Sequence, residues 1–313
     1  MRRTASFVGS MIAAAIIFSQ PAAAGWRDDL KVLRVGFLAG ENPSYAVTRL
    51  ESFRWQLQSG LAVPVELFPA RSYSALIEAE ASGRIQYAIL SSLAFVALDE
   101  RCHCGEPIAQ PVTDAGSRGF RAMIVAKEDG PIRTLADAKG ARLAIGARDS
   151  LSGRIAPFAG LASEGIEPDE YFARIIETKD AKAALDTLAA GEADLAVAWS
   201  TAPDPMSRAS GSGPLGNIPV DGAEPLPPLR LIWQSDLVPF GPHVVRTDLP
   251  PEARAAILQT LLSLQASAPE AYDAVEAGFS GGFVEADPLL YRRFAASLAA
   301  ARLSDSLTFT DQP

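Results

Sequence analysis

Short apolar runs alternate with longer segments of helical period along most of this chain, and glycine, serine or proline punctuates the joints. Val32–Leu38 is almost wholly apolar and reads as a strand buried on both faces. Ala39–Ser44 breaks it, and Tyr45–Gln58 then places apolar residues at helical spacing. Val63–Phe68 predicts a second strand; Ser72 or Tyr73 opens a helix through Ser82 that Gly83 ends. Ile85–Leu90 predicts a third strand, after which Ser91-Ser92 starts a helix through Leu98. This β-α-β-α-β-α rhythm predicts a largely parallel sheet with helices on both faces.

The pattern then repeats. Gly119–Lys127 predicts a long apolar strand, Leu135–Lys139 a short helix and Arg142–Ile145 another strand. A polar turn, Gly146–Gly153, leads into a helix-compatible segment, Ile155–Glu164. Ala181–Ala190 predicts a helix closed by Gly191, followed by a strand over Asp194–Ala198 that runs into Trp199-Ser200-Thr201. Gly211–Pro228 is rich in glycine and proline and reads as loop; Leu229–Trp233 resumes as strand. Pro251–Ala268 and Pro288–Ala301 have amphipathic helical period, and Thr308–Pro313 reads as a frayed end. Two βα blocks with a strand between and after them predict an α/β fold of two lobes. Each lobe is a mostly parallel sheet flanked by helices, and two crossover strands join them. The expected division is residues 25–118 plus 235–313 for the first lobe and 119–234, hinge strands included, for the second.

The turn Arg148-Asp149-Ser150-Leu151-Ser152-Gly153 sits between a buried strand and a helix. Such a turn aims backbone N–H groups and small hydroxyls at one point, where the helix dipole favours an anion. Taken alone, a serine there reads first as a helix cap. The other turns shift that balance. Ala39–Ser44, Ser91–Ser92, Arg148–Ser152 and Trp199–Thr201 all follow the carboxyl ends of predicted strands, where open α/β sheets bind ligands. They are expected to line one cleft between the lobes.

Composition narrows the partners. The formal charge of −9 makes nucleic acid or an anionic membrane surface a poor partner. Met1-Arg2-Arg3, the apolar run Phe7–Phe18 and Ala22-Ala23-Ala24 have the three-part pattern of a secretory signal peptide, residues 1–24. Beyond it no apolar run is long enough to span a bilayer, so a periplasmic protein without a membrane span is expected. The two cysteines, Cys102 and Cys104, flank His103. A bridge between residues two apart is disfavoured by Cα separation and Cβ direction, so the pair reads as small apolar residues in a turn. The functional alternative is a thiol pair for a soft metalloid. No second Cys/His cluster completes a metal site, and no metal or cofactor is expected. There is no nucleophile elbow, HExxH or GxxxxGK[ST], and Gly211–Gly216 matches GxGxxG without a strand leading into it, so no catalytic residue is expected.

Several phrases carry a family likeness. Phe120-Arg-Ala-Met-Ile-Val-Ala-Lys127, Pro131-Ile132, Leu135-Ala-Asp-Ala-Lys-Gly140 and Leu188-Ala-Ala-Gly-Glu-Ala-Asp194 resemble the crossover and second lobe of type II periplasmic binding proteins. Phe68-Pro-Ala-Arg-Ser-Tyr73, Ser150-Leu-Ser-Gly153 and Gly281-Gly-Phe-Val284 narrow the resemblance to the phosphonate/phosphite/phosphate-binding proteins of ABC importers. The resemblance implies an oxyanion held at Ser150, Leu151 and Ser152, where the family has Ser-Thr-Ser, and at Tyr73. It also marks departures. Leu90 stands where a second tyrosine is usual, with Ser91 and Ser92 behind it. The usual histidine falls near Ala181, between Lys179 and Lys182, which read as solvated. The carboxylates for a ligand amine fall near Thr201 and Gly241.

The chain is therefore expected to capture a small oxyanion of the phosphonate, phosphite or phosphate class for an ABC transporter permease, as a monomer. Ligand contacts are expected from Tyr73, Ser91, Ser92, Ser150, Leu151, Ser152, Ser200, Thr201 and His243, the last following Gly241-Pro242 at a predicted cleft edge. The alternative is a periplasmic sensor of an oxyanion, or of arsenite through Cys102 and Cys104, that signals to a membrane histidine kinase.

Overall fold

The computed structural model describes residues 25–40, 42–204, 206, 213–215 and 226–301. Expectations placed on residues 1–24, on 308–313 and on most of 211–228 lie outside the described residues. The chain opens with α1 (Trp26–Asp29), β1 (Leu33–Leu38), α2 (Pro43–Arg49) and α3 (Glu51–Leu61). Next come β2 (Val65–Ala70), α4 (Tyr73–Ala81), β3 (Tyr87–Ile89), α5 (Ser92–Cys102) and β4 (Gly105–Pro111). Then follow β5 (Gly119–Lys127), β6 (Arg142–Ile145), α6 (Ala156–Ser163), α7 (Pro168–Tyr171), β7 (Arg174–Glu177), α8 (Ala181–Ala189) and β8 (Leu195–Ser200). The last elements are β9 (Leu229–Gln234), β10 (Val238–Pro239), β11 (His243–Arg246), α9 (Pro251–Ser267), α10 (Pro269–Val275), β12 (Phe283–Glu285) and α11 (Pro288–Ala300).

Two sheets organise these elements. The first has the strand order β12-β4-β11-β3-β1-β2, and the second runs β10-β5-β8-β6-β7 with β9 also paired to β5. In each sheet the predicted βα repeat builds a parallel half: β2, β1 and β3 in one, β7, β6 and β8 in the other. The other half of each sheet is antiparallel, so the sheets are mixed rather than mostly parallel. The antiparallel strands of the first sheet escape the hydrophobic pattern for physical reasons. β4 carries a glycine and two prolines, and β11 and β12 are too short to show a period.

The chain passes between the sheets twice, from β4 to β5 and from β10 back to β11. At the crossing β5 and β10 pair antiparallel, Phe120 with Val238 and Gly119 with Pro239. The first sheet is covered by α3, α9 and α10 around a core that includes Phe53, Leu57, Leu61, Ile257, Leu261 and Tyr272. Helix α11 packs on α6 as well as on α5 and β10. One apolar cluster therefore joins Val96 of α5, Phe120 of β5, Ala156 and Ala159 of α6, and Phe294 and Leu298 of α11.

The two cysteines correct an expectation. Cys102 and Cys104 form a disulfide, with a Cα–Cα distance of 5.1 Å. His103 caps the C-terminus of α5 in the left-handed conformation (φ 48°, ψ 28°) and folds the chain back on itself, so the two sulfurs meet. The objection from geometry holds for extended or right-handed backbone only. No free cysteine remains among the described residues, so the thiol-ligand sensor alternative has no thiol to act through.

Glu80, on α4, is fully buried, and neither carboxyl oxygen has a hydrogen-bond partner. Arg246 lies close but donates to the Glu80 main-chain carbonyl and to Asp248. Burial lifts the Glu80 carboxyl from its ordinary 4.5 to about 8, with Arg246 opposing. An acid raised in the fold is protonated there while the unfolded chain is ionised. Its contribution is thus whole below about 4.5 and declines as pH rises to about 8. Glu80→Gln is accordingly expected to raise the melting temperature at pH 8 by several degrees and to leave it unchanged at pH 4.5, as measured by circular dichroism.

Candidate functional site

The carboxyl ends of the parallel strands β1, β2 and β3 share one edge of the first sheet, and the turns after them open a cavity of about 310 Å³. Its walls are mostly apolar: Phe37 and Leu38 from β1, Leu50, Ile89, Leu90, Pro111, Val275 and Phe279. Gly241 completes the wall, and four polar side chains reach the space: Arg49, Tyr73, Ser91 and Glu276. Tyr73 opens α4 behind the Ser72 cap, whose hydroxyl accepts from the Ala75 N–H at 3.2 Å. Ser91 caps α5, its hydroxyl accepting from the Ala94 N–H at 3.1 Å. Burial pushes the Tyr73 phenol above its ordinary value; hydrogen bonding to Ser91 pulls it back, and the negative charge of Glu276 adds to the rise. Tyr73, Ser91 and Glu276 thus form one electrostatic unit.

Behind Glu276 lies His243. It follows the return crossing, and on the antiparallel β3–β11 ladder Val245 stands opposite Tyr87 and His243 opposite Ile89. His243 and Tyr87 are therefore diagonal neighbours on one face. The His243 ring is fully buried, with Nδ1 hydrogen-bonded to the Tyr87 hydroxyl and Nε2 2.9 Å from Glu276 Oε1. Phe53 meets both rings edge-on, and Phe283 stacks edge-to-face on His243 with centroids 4.5 Å apart. This corrects the expectation of a ligand-touching histidine: the ring supports Glu276 from inside the core. Ser92 is likewise buried and outside the cavity wall.

The serine turn lies at the equivalent edge of the second sheet, after β6, which is parallel to β8. Its first turn is wider than an α-turn: the Ile155 N–H reaches the Ser150 carbonyl at 3.0 Å over Leu151–Ile155. The Ser150 hydroxyl accepts from the Gly153 N–H at 3.0 Å, so Ser150 does act as the cap. The Ser152 hydroxyl and the N–H groups of Leu151 and Ser152 make no hydrogen bond to other described residues. The Leu151 side chain packs into the apolar cluster that also holds Trp199 and Phe120. Ser200 is buried, its hydroxyl accepting from the Ala202 N–H at 3.1 Å, and Thr201 is half-buried beside it.

The structure therefore groups the sequence-derived residues in two sets. Tyr73, Leu90, Ser91 and Gly241 share the cavity with Glu276, whereas Ser150, Leu151, Ser152, Ser200 and Thr201 lie outside its lining. Arg49 and Glu276 escaped the sequence reading, because a lone arginine or glutamate at a helix end carries no pattern. Lys179 and Lys182 are exposed, Lys182 paired with Asp186 at 2.8 Å, in keeping with solvated residues. A second cavity, about 280 Å³, lies between α6, α11 and the crossover strands and is lined by Arg121, Glu164, Trp233, Ser235, Asp236 and Arg293 among others. Two of its polar side chains are engaged within the fold: Trp233 Nε1 donates to Glu164 at 2.8 Å, and Arg121 to the Ser235 carbonyl at 2.9 Å. The first cavity, which gathers Tyr73, Ser91 and Glu276 at the carboxyl ends of the parallel strands, is the candidate site. Among the described residues no group of three or more His, Cys, Asp or Glu could hold a metal ion, and no helix is long and apolar enough to cross a membrane.

Residues 35–291 match the family model of the periplasmic substrate-binding proteins of phosphonate ABC transporters. That match takes in most of the chain, and the chain belongs to this family. The phosphonates-binding periplasmic protein of Escherichia coli (strain K12) is 26% identical over 224 residues, which is 70% of this chain and 62% of that protein. The chain thus spans less than two thirds of that relative's length. A Xanthomonas citri protein solved with ATP bound superposes with a TM-score of 0.60 at 19% identity, over 89% of this chain and 99% of its own. A Prochlorococcus marinus protein solved in complex with methylphosphonate gives a TM-score of 0.53 at 17% identity, over 87% of this chain and 99% of its own. These two likenesses establish the fold, that of type II periplasmic binding proteins.

His243→Ala is expected to leave the Tyr87 hydroxyl and the inner Glu276 oxygen buried without partners and to open a void among three aromatic rings. Unfolding in urea should show a loss of roughly 3 kcal/mol or more. A loss below about 1 kcal/mol would show that the ring is not the buried connector described.

Proposed function

We propose that this member of the phosphonate-binding family captures a small phosphonate-class oxyanion between two lobes and presents it to the permease of an ABC importer. The lobes are residues 25–118 with 235–313, and residues 119–234. Residues 1–24 serve as the export signal. The observation that carries the reading is a set of donors at the start of the helical run after β6 that make no hydrogen bond among the described residues: the Ser152 hydroxyl and the N–H groups of Leu151 and Ser152. Three donors at the positive end of a helix suit an oxyanion. Tyr73 and Ser91 supply hydroxyls at the corresponding edge of the first sheet. Rotation of one lobe about the paired crossover strands would bring the two sets together around the ligand.

Each residue then takes a distinct role. Ser152 donates to the anion through its side chain; Ser150 caps the turn and holds its shape. Leu151 contributes its N–H only, because its side chain is committed to the apolar cluster. Ser200 ends β8, the strand that packs against the serine turn, and Thr201 follows it.

Calorimetry on the protein lacking residues 1–24 tests this reading, with methylphosphonate, phosphite, phosphate and sulfate as ligands. Binding of at least one phosphorus oxyanion is expected; no binding to any of them, with no anion copurifying, would remove the transport reading. Ser152→Ala is expected to weaken binding by roughly 10- to 100-fold, since hydrogen bonds to charged groups contribute about 1.5–3 kcal/mol, while leaving the melting temperature unchanged. Ser150→Ala should instead lower stability by about 1 kcal/mol through loss of the cap.

A further inference from the structure

We propose that Glu276 makes the cavity selective for oxyanions that still carry a proton, accepting the P–O–H hydrogen bond of a phosphonate monoanion and repelling a fully ionised sulfonate or sulfate of the same shape. The proposal rests on the oxyanion-binding reading above and deepens it.

A carboxylate in the wall of an anion site is costly unless it recognises something. Glu276 stands at the C-terminal end of α10, and its side chain is largely buried while still lining the cavity. It lies within electrostatic reach of the Tyr73 phenol, one of the groups expected to meet the ligand. A negative charge at that distance opposes any dianion. It favours a ligand that presents a hydrogen-bond donor, and the donor native to a phosphorus oxyanion near neutral pH is its remaining hydroxyl. Sulfonates and sulfate have no such hydroxyl in that range.

The groups behind Glu276 hold it as an acceptor. Tyr87 is fully buried, and its only hydrogen-bond partner among the described residues is His243 Nδ1. If Tyr87 accepted from Nδ1–H, its own O–H would have nowhere to donate. Tyr87 therefore donates to Nδ1, the ring proton sits on Nε2, and Nε2–H donates to Glu276 Oε1 at 2.9 Å. Both links of this chain donate toward the carboxylate, and Glu276 Oε2 is left to accept from the cavity. Phe53 and Phe283 both pack edge-to-face on the His243 ring and hold it in place. Arg49 lines the same space and offers compensating charge to the rest of the anion.

A purely structural Glu276, present only to satisfy His243, makes a different prediction: its removal would change stability and leave anion discrimination alone. The decisive measurement is calorimetry with methylphosphonate and methanesulfonate, which share shape and differ in the proton. The wild-type protein is expected to prefer methylphosphonate by about 100-fold or more; in Glu276→Gln the preference should fall to roughly 10-fold or less, the size of one hydrogen bond to a charged group. A Glu276→Gln protein that melts as the wild type does and keeps its preference within threefold would overturn the proposal. So would a wild-type protein that binds the two anions equally well, an outcome that needs no variant to fold. If an amine-bearing phosphonate outcompetes methylphosphonate and loses only that advantage in Glu276→Gln, the carboxylate serves an ammonium and the proposal fails. Binding of neither anion would remove the oxyanion reading itself, whereas equal binding removes the role of Glu276 alone.

Discussion

The constraint on which this architecture turns is steric and sits where the chain crosses between its sheets. A Cβ at Gly119 would lie 2.1 Å from the Val238 carbonyl oxygen, and one at Gly241 would lie 2.2 Å from the Leu90 carbonyl oxygen. At both crossings, backbone packs directly against backbone. The return strand is also tied to the end of β3 by the hydrogen bond from the Leu90 N–H to the Pro242 carbonyl, 3.1 Å. That tie sets where Leu90 and Ser91 stand, and so positions one wall of the candidate cavity. It also explains why no carboxylate occurs at Gly241, since a side chain of any kind would have to displace the Leu90 carbonyl.

Around that crossing the polar groups divide by function. Those that face the cavity are few, and two are held from behind: Ser91 by its role at the start of α5, and Glu276 by the buried histidine and tyrosine. Those at the second sheet's edge are split between a serine that shapes its own turn and a serine beside two N–H groups that make no hydrogen bond among the described residues. Apolar residues fill the remaining positions, including Leu151 in the middle of the turn. A hydroxyl there would have to leave the cluster built by Trp199 and Phe120, where a polar group would cost free energy unless it found a partner.

What could be read in advance followed from periodicity. β5 and β6 match their predicted bounds to the residue, because both are mostly apolar runs followed by polar turns. The parallel halves of both sheets followed from the βα rhythm. The antiparallel strands did not, since β4 is disguised by prolines and β12 spans only three residues. Tyr45–Gln58 read as one helix but is two, broken at Leu50, whose buried side chain anchors the joint. Tyr73 and Ser91 were legible because a turn after a strand has a recognisable chemistry. His243 was placed near the cleft, yet its side chain points into an aromatic box that only tertiary packing creates. Glu276 had no signal at all: its importance comes from a contact 33 residues away in the chain. The disulfide was missed for a related reason, because one left-handed residue between the cysteines changes what spacing allows.

Helix α11 has a further bearing on how the molecule is assembled. Phe294 and Leu298 complete the apolar cover of Ala156 and Ala159 on α6, although more than a hundred residues separate the two helices in the chain. The second sheet's own helix thus stays partly uncovered until nearly the whole polypeptide has been made. Contacts of such long sequence separation form late and slowly. Folding of the middle of the chain is thereby tied to the arrival of its end, and a nascent chain lacking α11 would expose that face to whatever holds unfolded protein.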